Sequence, residues 1–283
     1  MNLKKGIFAL ILLSIVVFNT KVYIRHVNGS NGLLYNEIGN AYKNKKVNVT
    51  AHRGDSLNYP ENTLSSILGA KELRADWIEI DVRKTLDNKL VVIHDSNLKR
   101  TTGIDREIYE ATFDEIKDYN AGKYLGKNES VPLLDQVLEY AKRTNLKLYI
   151  ELKIRDHEKS IIDDVVNLIK YYEFENSCVI TSFDYDIIKE LKMLNPHIKT
   201  SIIMKKLRDD IDRFEFADEF SINSKNIDRD IVDTIHLKNK KINAWTVDSE
   251  KEVIKMIDLK VDNIITNNIK LVKEIINNAN YDL

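Results

Sequence analysis

The feature that most constrains the fold is a regular alternation of two hydrophobic patterns that begins at Val47. Short runs rich in β-branched residues alternate with stretches that carry apolar residues at helical spacing. This alternation is typical of βα units, in which helices cover a parallel sheet. The predicted strands are 47–52, 77–82, 89–95, 147–152, 178–182, 199–204, 219–222, 241–247 and 262–266.

The number of these repeats predicts a (β/α)8 barrel of the TIM type. That fold usually takes about 250 residues, which residues 47–283 supply. The predicted strands exceed the eight positions of such a barrel by one. Segments 77–82 and 89–95 have no helical pattern between them, so one of the two is either an added hairpin strand or a short barrel strand. The sequence leaves both assignments open.

Residues 96–130 do not fit the repeat. They are polar, and their clearest helix signal is a short capped segment from Thr112 to Glu115. A stretch of this length without a strand predicts an insertion or a lid. Because it follows the third strand segment directly after His94-Asp95, we expect it to lie over any site that those residues build.

The first 46 residues form a separate segment with a hydrophobic helix. Lys4 and Lys5 precede an apolar run from residue 6 to residue 18, which is shorter than the ~20 residues of a typical span. No small-residue cleavage site follows it, and a helix that continued to Ile24 with Lys21 snorkelling would reach membrane length. We therefore predict a signal peptide or membrane anchor at 1–24 and a membrane-proximal linker at 25–46. The lysines predict an extracytoplasmic body, either anchored by this helix or secreted after cleavage.

Charge and cysteine content narrow the partners and cofactors. The formal net charge is -1, so the chain lacks the positive field that non-specific nucleic-acid binding requires, and we expect no nucleic-acid partner. Its single cysteine, Cys178, cannot form an intramolecular disulfide or a cysteine-based metal site. Any metal would therefore bind oxygen or imidazole ligands.

Carboxylates occur at strand ends where a buried strand should be apolar. Glu79 and Asp81 share one face of their strand, since side chains alternate with period two, and Glu151 shares a face with Lys153. Three carboxylates converging from two strands would repel unless a cation joined them. Their hard oxygen ligands suit one divalent cation, Ca²⁺ or Mg²⁺. The alternative is ion pairing with nearby basic residues, such as Arg83 with Glu79.

His52 and His94 also lie at predicted strand ends, and imidazole suits proton transfer near neutral pH. Together with the basic pair Arg53 and Lys153 they would serve phosphoryl chemistry, because cations neutralise phosphate oxygens while imidazoles move protons. Two aromatic residues at strand ends, Phe183 and Trp245, fit either the wall of a ligand pocket or the barrel core, and the sequence leaves that choice open.

Ordered sequence blocks resemble the glycerophosphodiester phosphodiesterase family. The blocks are AHRGDSLNYPENT, EIDVRKTLDNKLVVIHD, NLKRTTG, VPLLDQVL, YIELK, SFD, AWTVDS and VDNIITN, and they extend over most of the chain. The resemblance implies a barrel with an insertion after the HD block. It also implies acid/base roles for His52 and His94. By the same resemblance the metal ligands are Glu79, Asp81 and Glu151, and the phosphate-binding cations are Arg53 and Lys153.

The implied activity is metal-dependent hydrolysis of a small-molecule glycerophosphodiester to glycerol 3-phosphate and an alcohol. One alternative is a phospholipase of C or D type that acts on intact lipid, which membrane contact through the N-terminal segment would favour. Another is a non-catalytic barrel that binds polyol phosphates, which we would expect to lack a histidine or a metal carboxylate. The chain departs from the family at Asn267-Asn268, where an Asp and a Pro are common.

Overall fold

Parallel strands close into a barrel in the computed structural model of the chain, which describes residues 47–154, 161–207 and 210–279. The strands are β1 Asn48–Ala51, β2 Trp77–Lys84, β3 Leu90–Val92, β4 Leu148–Leu152, β5 Cys178–Ser182, β6 Lys199–Met204, β7 Glu219–Asn223, β8 Lys241–Trp245 and β9 Asn263–Thr266. The barrel order is β1-β9-β8-β7-β6-β5-β4-β2, and β1 pairs with β2 to close it. The predicted eight-stranded TIM-type barrel is confirmed.

The extra predicted strand is an added hairpin strand. β2 pairs in parallel with β1 and β4, and its last residues, Val82 to Lys84, pair in antiparallel fashion with β3. β3 stops at Val92, shorter than the predicted 89–95, and the backbone N–H of Ile93 donates to the Asp81 carbonyl at 2.9 Å. Of the two assignments that the sequence left open, the structure shows the hairpin strand, and His94 follows a strand outside the barrel.

Helices cover the outside of the barrel, and two short helices lie in the insertion. They are α1 Leu64–Glu72, α2 Lys99–Thr102, α3 Phe113–Ile116, α4 Leu134–Arg143, α5 Ile161–Tyr171, α6 Tyr185–Leu194, α7 Arg229–Leu237, α8 Glu250–Leu259 and α9 Ile269–Ala279. Thr63 caps α1 by accepting from the Ser66 N–H, and Ser249 caps α8 in the same way from Glu252. Between β6 and β7 a short 3₁₀ turn, Ile211–Phe214, replaces a full helix.

The insertion has a hydrophobic core of its own. Side chains of β3 alternate, so that Leu90 and Val92 pack into the main barrel core while Val91 and Ile93 face the insertion. Around them the insertion buries Leu98, Ile108, Ala111, Ile116 and Ala121. The helix signal at Thr112 becomes α3, with a capping box between Thr112 and Glu115. The insertion is thus packed onto the hairpin that precedes it.

The predicted N-terminal helix and linker, residues 1–24 and 25–46, lie outside the described residues. Among the helices in the described ranges, none has the length and apolar character that crossing a bilayer requires.

Candidate active site

Three buried carboxylates meet at the carboxyl ends of two neighbouring strands. Glu79 and Asp81 project from the same face of β2, and Glu151 on β4 pairs in register with Asp81. All three side chains are buried, and one oxygen from each lies within 4.8 Å of the others. The predicted convergence is present, and its spacing allows one cation to contact all three groups.

Electrostatics at this cluster reflect the crowding of negative charge. Burial, reinforced by Asp81 and Glu151, holds the pKa of Glu79 well above its usual value. Burial and Asp81 also raise the pKa of Glu151 to about 7. At Asp81 burial acts in the same direction, but Lys153 and Arg53 outweigh it and hold the pKa below its usual range. The cluster thus carries protons that a cation would displace.

Two basic side chains flank the carboxylates. Arg53 places Nε 3.4 Å from Asp81 and Nη1 2.9 Å from Glu61. Lys153 places Nζ 3.2 Å from Asp81 and 2.5 Å from Glu151. Both cations remain partly accessible from the cleft, with 19% and 14% of their side-chain surface exposed. They can therefore meet an anion that enters while still facing the carboxylates.

His52 directly follows β1. Its backbone N–H donates to the Thr266 carbonyl at 2.9 Å, and its ring Nδ1 lies 2.8 Å from Asn267 Oδ1. The other ring nitrogen, Nε2, lies 4.0 Å from Glu79 Oε2. Burial and the neighbouring Arg53 lower the pKa of His52 to about 4, so the ring is neutral at pH 7.

His94 approaches the same cleft from the hairpin. Its carbonyl accepts a 2.8 Å hydrogen bond from Arg83 Nε, and its ring Nδ1 lies 2.7 Å from Asp95 Oδ1. Burial lowers the pKa of His94, and the charge of Asp81 opposes that shift. Both predicted histidines therefore line one cleft, although they arrive there from different kinds of strand.

Two aromatic side chains stand in the remaining wall of the cleft. The cleft and the open solvent at its mouth together measure about 620 Å³. Phe183 and Trp245 both line it, with ring centroids 5.8 Å apart and planes at 85°. Trp245 donates from Nε1 to the Ser221 carbonyl at 2.9 Å, and half of Phe183 is exposed. The sequence left open whether Phe183 and Trp245 fill the barrel core or line a pocket, and the structure places both in the wall of the cleft.

Comparison with known proteins agrees with this site. The sequence profile of the glycerophosphoryl diester phosphodiesterase family matches residues 52–271, which include every residue of the cleft described above. The chain belongs to the glycerophosphoryl diester phosphodiesterase family. A glycerophosphodiester phosphodiesterase of Caldanaerobacter subterraneus subsp. tengcongensis is 34% identical over 230 residues, which are 78% of this chain and 94% of the relative.

Solved structures of the family share the fold. A phosphodiesterase of Oleispira antarctica, solved in complex with the product sn-glycerol-3-phosphate, has a TM-score of 0.77 and 27% identity, covering 81% of this chain and 96% of its own. A glycerophosphodiester phosphodiesterase of Parabacteroides distasonis has a TM-score of 0.74 and 28% identity, covering 83% of this chain and 99% of its own.

Asn62 contacts the acidic cluster in this member of the family, and sequence reasoning missed it. Asn62 Nδ2 donates to Asp81 Oδ2 at 2.8 Å, and the Asp81 N–H donates to Asn62 Oδ1 at 3.1 Å. The next residue, Thr63, is the N-cap of α1. The available signal was the block PENT, whose Asn takes a left-handed φ of 59° that turns its amide toward β2.

The insertion also reaches the site, through a residue that we did not predict. Arg100 on α2 contacts Glu61 at 2.6 and 2.8 Å and Asp95 at 2.5 Å. Glu61 in turn binds Arg53, and Asp95 binds His94. Arg100 thus connects the partner of a cleft cation with the partner of a cleft histidine. The signal available in the sequence was its position in the block NLKRTTG, which the family shares.

Proposed function

We propose that this protein is a metal-dependent phosphodiesterase that hydrolyses glycerophosphodiesters to glycerol 3-phosphate and an alcohol. One observation carries the proposal: a buried carboxylate triad, a basic pair and two histidines lie in the same cleft, and the chain belongs to this family. A phosphodiester needs each of these: charge neutralisation at phosphorus, a proton acceptor and a proton donor.

Glu79, Asp81 and Glu151 would hold one divalent cation, Ca²⁺ or Mg²⁺. Glu79 Oε1 is buried without a hydrogen-bond partner among the described residues, which is costly unless a ligand satisfies it. The all-carboxylate donor set suits hard cations and fits poorly with softer metals. When bound, the cation would neutralise charge on the phosphoryl oxygens.

His52 would act first as the general base. Its ring is neutral at pH 7, so it can take the proton of the substrate's glycerol 2-hydroxyl as that oxygen attacks phosphorus. His94, whose protonated form the adjacent Asp95 stabilises, would give its proton to the departing alcohol oxygen. The products of this step are the free alcohol and a cyclic glycerol phosphate.

The second step would reverse the two roles. His94, now neutral, takes a proton from water as the water oxygen attacks the cyclic phosphate. His52 returns its proton to the glycerol 2-oxygen when the ring opens, which yields glycerol 3-phosphate. His52 is then neutral and His94 protonated, as at the start of the cycle. Arg53 and Lys153 would bind phosphoryl oxygens throughout, and their partial exposure toward the cleft supports this role.

The alcohol would leave along the aromatic wall of Phe183 and Trp245. Trp245 packs edge-on against Phe183, and the Lys153 ammonium lies 5.8 Å from the Phe183 ring centroid, so the two rings can pack against a head group beside the phosphate-binding cation.

Single histidine variants test the catalytic assignment. We expect His52→Ala and His94→Ala each to lose at least about 100-fold in kcat with glycerophosphocholine or glycerophosphoglycerol, since general acid/base groups contribute about 10²–10⁴-fold. His197→Ala changes an exposed histidine outside the cleft and serves as the control. Near wild-type turnover by both cleft variants would refute the assignment.

Substrate class and metal are tested together by an assay over a panel of glycerophosphodiesters and the corresponding intact lipids. We expect turnover of the deacylated compounds, its loss on chelation with EDTA, and recovery with Ca²⁺ or Mg²⁺. Preference for intact lipid would indicate the phospholipase alternative. Activity that survives chelation would contradict the metal-dependent mechanism.

We further propose that the catalytic body is extracytoplasmic and associated with the membrane through residues 1–24, or secreted after their cleavage. The support is the pair Lys4 and Lys5 before an apolar run. N-terminal sequencing of the protein from membrane and secreted fractions tests both versions. Recovery of the uncleaved chain in the cytoplasmic fraction would contradict them.

A further inference from the structure

A chain of hydrogen bonds runs from Asp248 through Asn267 to His52 at the edge of the cleft. Asp248 follows β8, Asn267 follows β9 and His52 follows β1, so the chain joins three adjacent strand ends. Asn267 Oδ1 lies 2.8 Å from His52 Nδ1, and Asn267 Nδ2 lies 2.7 Å from Asp248 Oδ2. The mechanism above assigns no part to either Asp248 or Asn267.

Asp248 fixes which way the Asn267 amide points. The Asp248 carboxylate already accepts from the Asn267 backbone N–H at 2.8 Å and from Thr266 Oγ1 at 3.0 Å. An ionised carboxylate can only accept hydrogen bonds, so the end of the amide that faces it must be the NH₂ group. The amide oxygen therefore faces His52, and Ser56 Oγ, 3.0 Å from that oxygen, can donate to it as well.

The amide orientation in turn fixes the hydrogen on the imidazole. The Asn267 oxygen has no proton to give, so His52 Nδ1 must carry the hydrogen of their 2.8 Å contact. A neutral ring protonated at Nδ1 has its lone pair at Nε2. Nε2 is the nitrogen near Glu79, and a general base needs its lone pair there.

We infer that Asp248 and Asn267 are positioning residues that hold His52 in its Nδ1–H tautomer, so that Nε2 is ready to accept the proton of the glycerol hydroxyl. The effect is on orientation and tautomer: Asn267 touches neither substrate nor the reacting atoms. The kinetic part of this inference rests on the proposed function, whereas the tautomer can be observed without any substrate.

The tautomer is measured on the full chain labelled with ¹⁵N-histidine, in the presence of Mg²⁺, by long-range ¹H–¹⁵N correlation spectra at pH 8. His52→Gln identifies the His52 signals. We expect a protonated Nδ1 and an unprotonated Nε2 in the wild type. In Asn267→Leu, which removes the acceptor at similar size, the Nε2–H tautomer should gain population.

Steady-state kinetics distinguish a positioning role of Asn267 from a merely structural one. We expect Asn267→Leu to lower kcat by about 10- to 100-fold, the usual effect of removing a partner that orients a site imidazole, with KM unchanged. The double variant D248N/N267D returns an acceptor to His52 without placing two carboxylates together, and it should restore the tautomer and most of kcat. Asn226→Leu, which removes an amide that donates to the Lys205 carbonyl at 2.9 Å, is the matched control.

Three results would overturn the inference: an Nε2–H tautomer in the wild type, an unchanged tautomer in Asn267→Leu, or a changed tautomer with unchanged kcat. If Asn267→Leu does not fold by circular dichroism, the tautomer and kcat of D248N/N267D and of Asp248→Ala decide in its place. An inactive wild type with the Nδ1–H tautomer would refute the proposed function and leave the positioning geometry intact.

Discussion

At the scale of single residues, protons and a divalent cation would compete for the carboxylates of the acidic cluster. Burial raises the pKa of Glu151 to about 7, above the usual value of 4.5, so the metal-free protein gains stability from this group at acid pH. That contribution is complete below about pH 4.5 and is lost as the pH rises through about 7. A bound cation would reverse the trend, because it needs the carboxylate in its ionised form.

We therefore expect the rise in Tm caused by Mg²⁺ or Ca²⁺ to be larger at pH 8 than at pH 5. Differential scanning fluorimetry with and without the cation measures it. Glu151→Gln should remove most of the rise at both pH values, whereas Glu173→Gln, at an exposed carboxylate outside the cleft, should leave it unchanged. An equal rise at both pH values would contradict proton displacement at this site.

At the scale of elements, the sequence predicted strand bounds best where a strand belongs to the barrel along its whole length. The bounds of β5 and β6 agree with prediction because both are buried, continuous barrel strands with clear turn signals on each side. The hairpin was ambiguous because β2 and β3 are both buried strands with no helical pattern between them, and only pairing direction distinguishes them. The contacts of Asn62 and Arg100 were missed because they depend on a loop backbone angle and on how the insertion packs, which hydrophobic periodicity does not report.

The link between insertion and barrel yields a prediction about Arg100. Arg100→Ala should lower kcat/KM roughly tenfold, since it removes charged hydrogen bonds that orient Glu61 and Asp95, each bond contributing about 1.5–3 kcal/mol at most. The neighbouring Lys99→Ala breaks only an exposed ion pair with Asp105 and should be neutral. Steady-state kinetics of both variants provide the comparison, and equal activity would contradict the link.

The loop after β1 depends on a glycine that both its backbone and its neighbours require. Gly54 has φ +79°, and an added Cβ would lie 2.4 Å from Ser66 Oγ and 2.6 Å from the Ser66 carbonyl carbon. Gly126 has φ +65° with open space around it. Gly126→Ala should therefore cost about 1 kcal/mol of unfolding free energy, whereas Gly54→Ala should cost about 3 kcal/mol or more. Urea denaturation measures both, and equal losses would exclude the steric contribution.

At the scale of the whole molecule, Cys178 reports on global unfolding. It is the single cysteine of the chain and lies buried at the start of β5. Burial, reinforced by Glu175, raises the pKa of its thiol from 9.0 to about 12. Folded protein at pH 8 therefore holds it almost entirely as the unreactive thiol, and the native state loses stability as the pH rises from about 9 toward 12.

We expect a thiol reagent at pH 8 to label Cys178 only after unfolding, and Mg²⁺ to slow the labelling by stabilising the folded state. Mass spectrometry of samples taken along a urea series measures the labelled fraction, which should follow the loss of circular dichroism. Rapid labelling of the native protein would show that β5 opens locally and would contradict this expectation.

The origin of the cleft residues on different strands has a consequence for how such an enzyme can diversify. The groups proposed to act on phosphorus come from β1, β2, β4 and the hairpin, whereas Phe183 and Ile203 come from the region of β5 and β6. Phe183 contacts the Lys153 ammonium, 5.8 Å from its ring centroid, so a change there would couple to phosphate binding, whereas substitutions at positions without shared partners combine nearly independently. Evolution or a protein engineer could therefore exchange the accepted head group through a position such as Ile203 while the reaction itself stays unchanged.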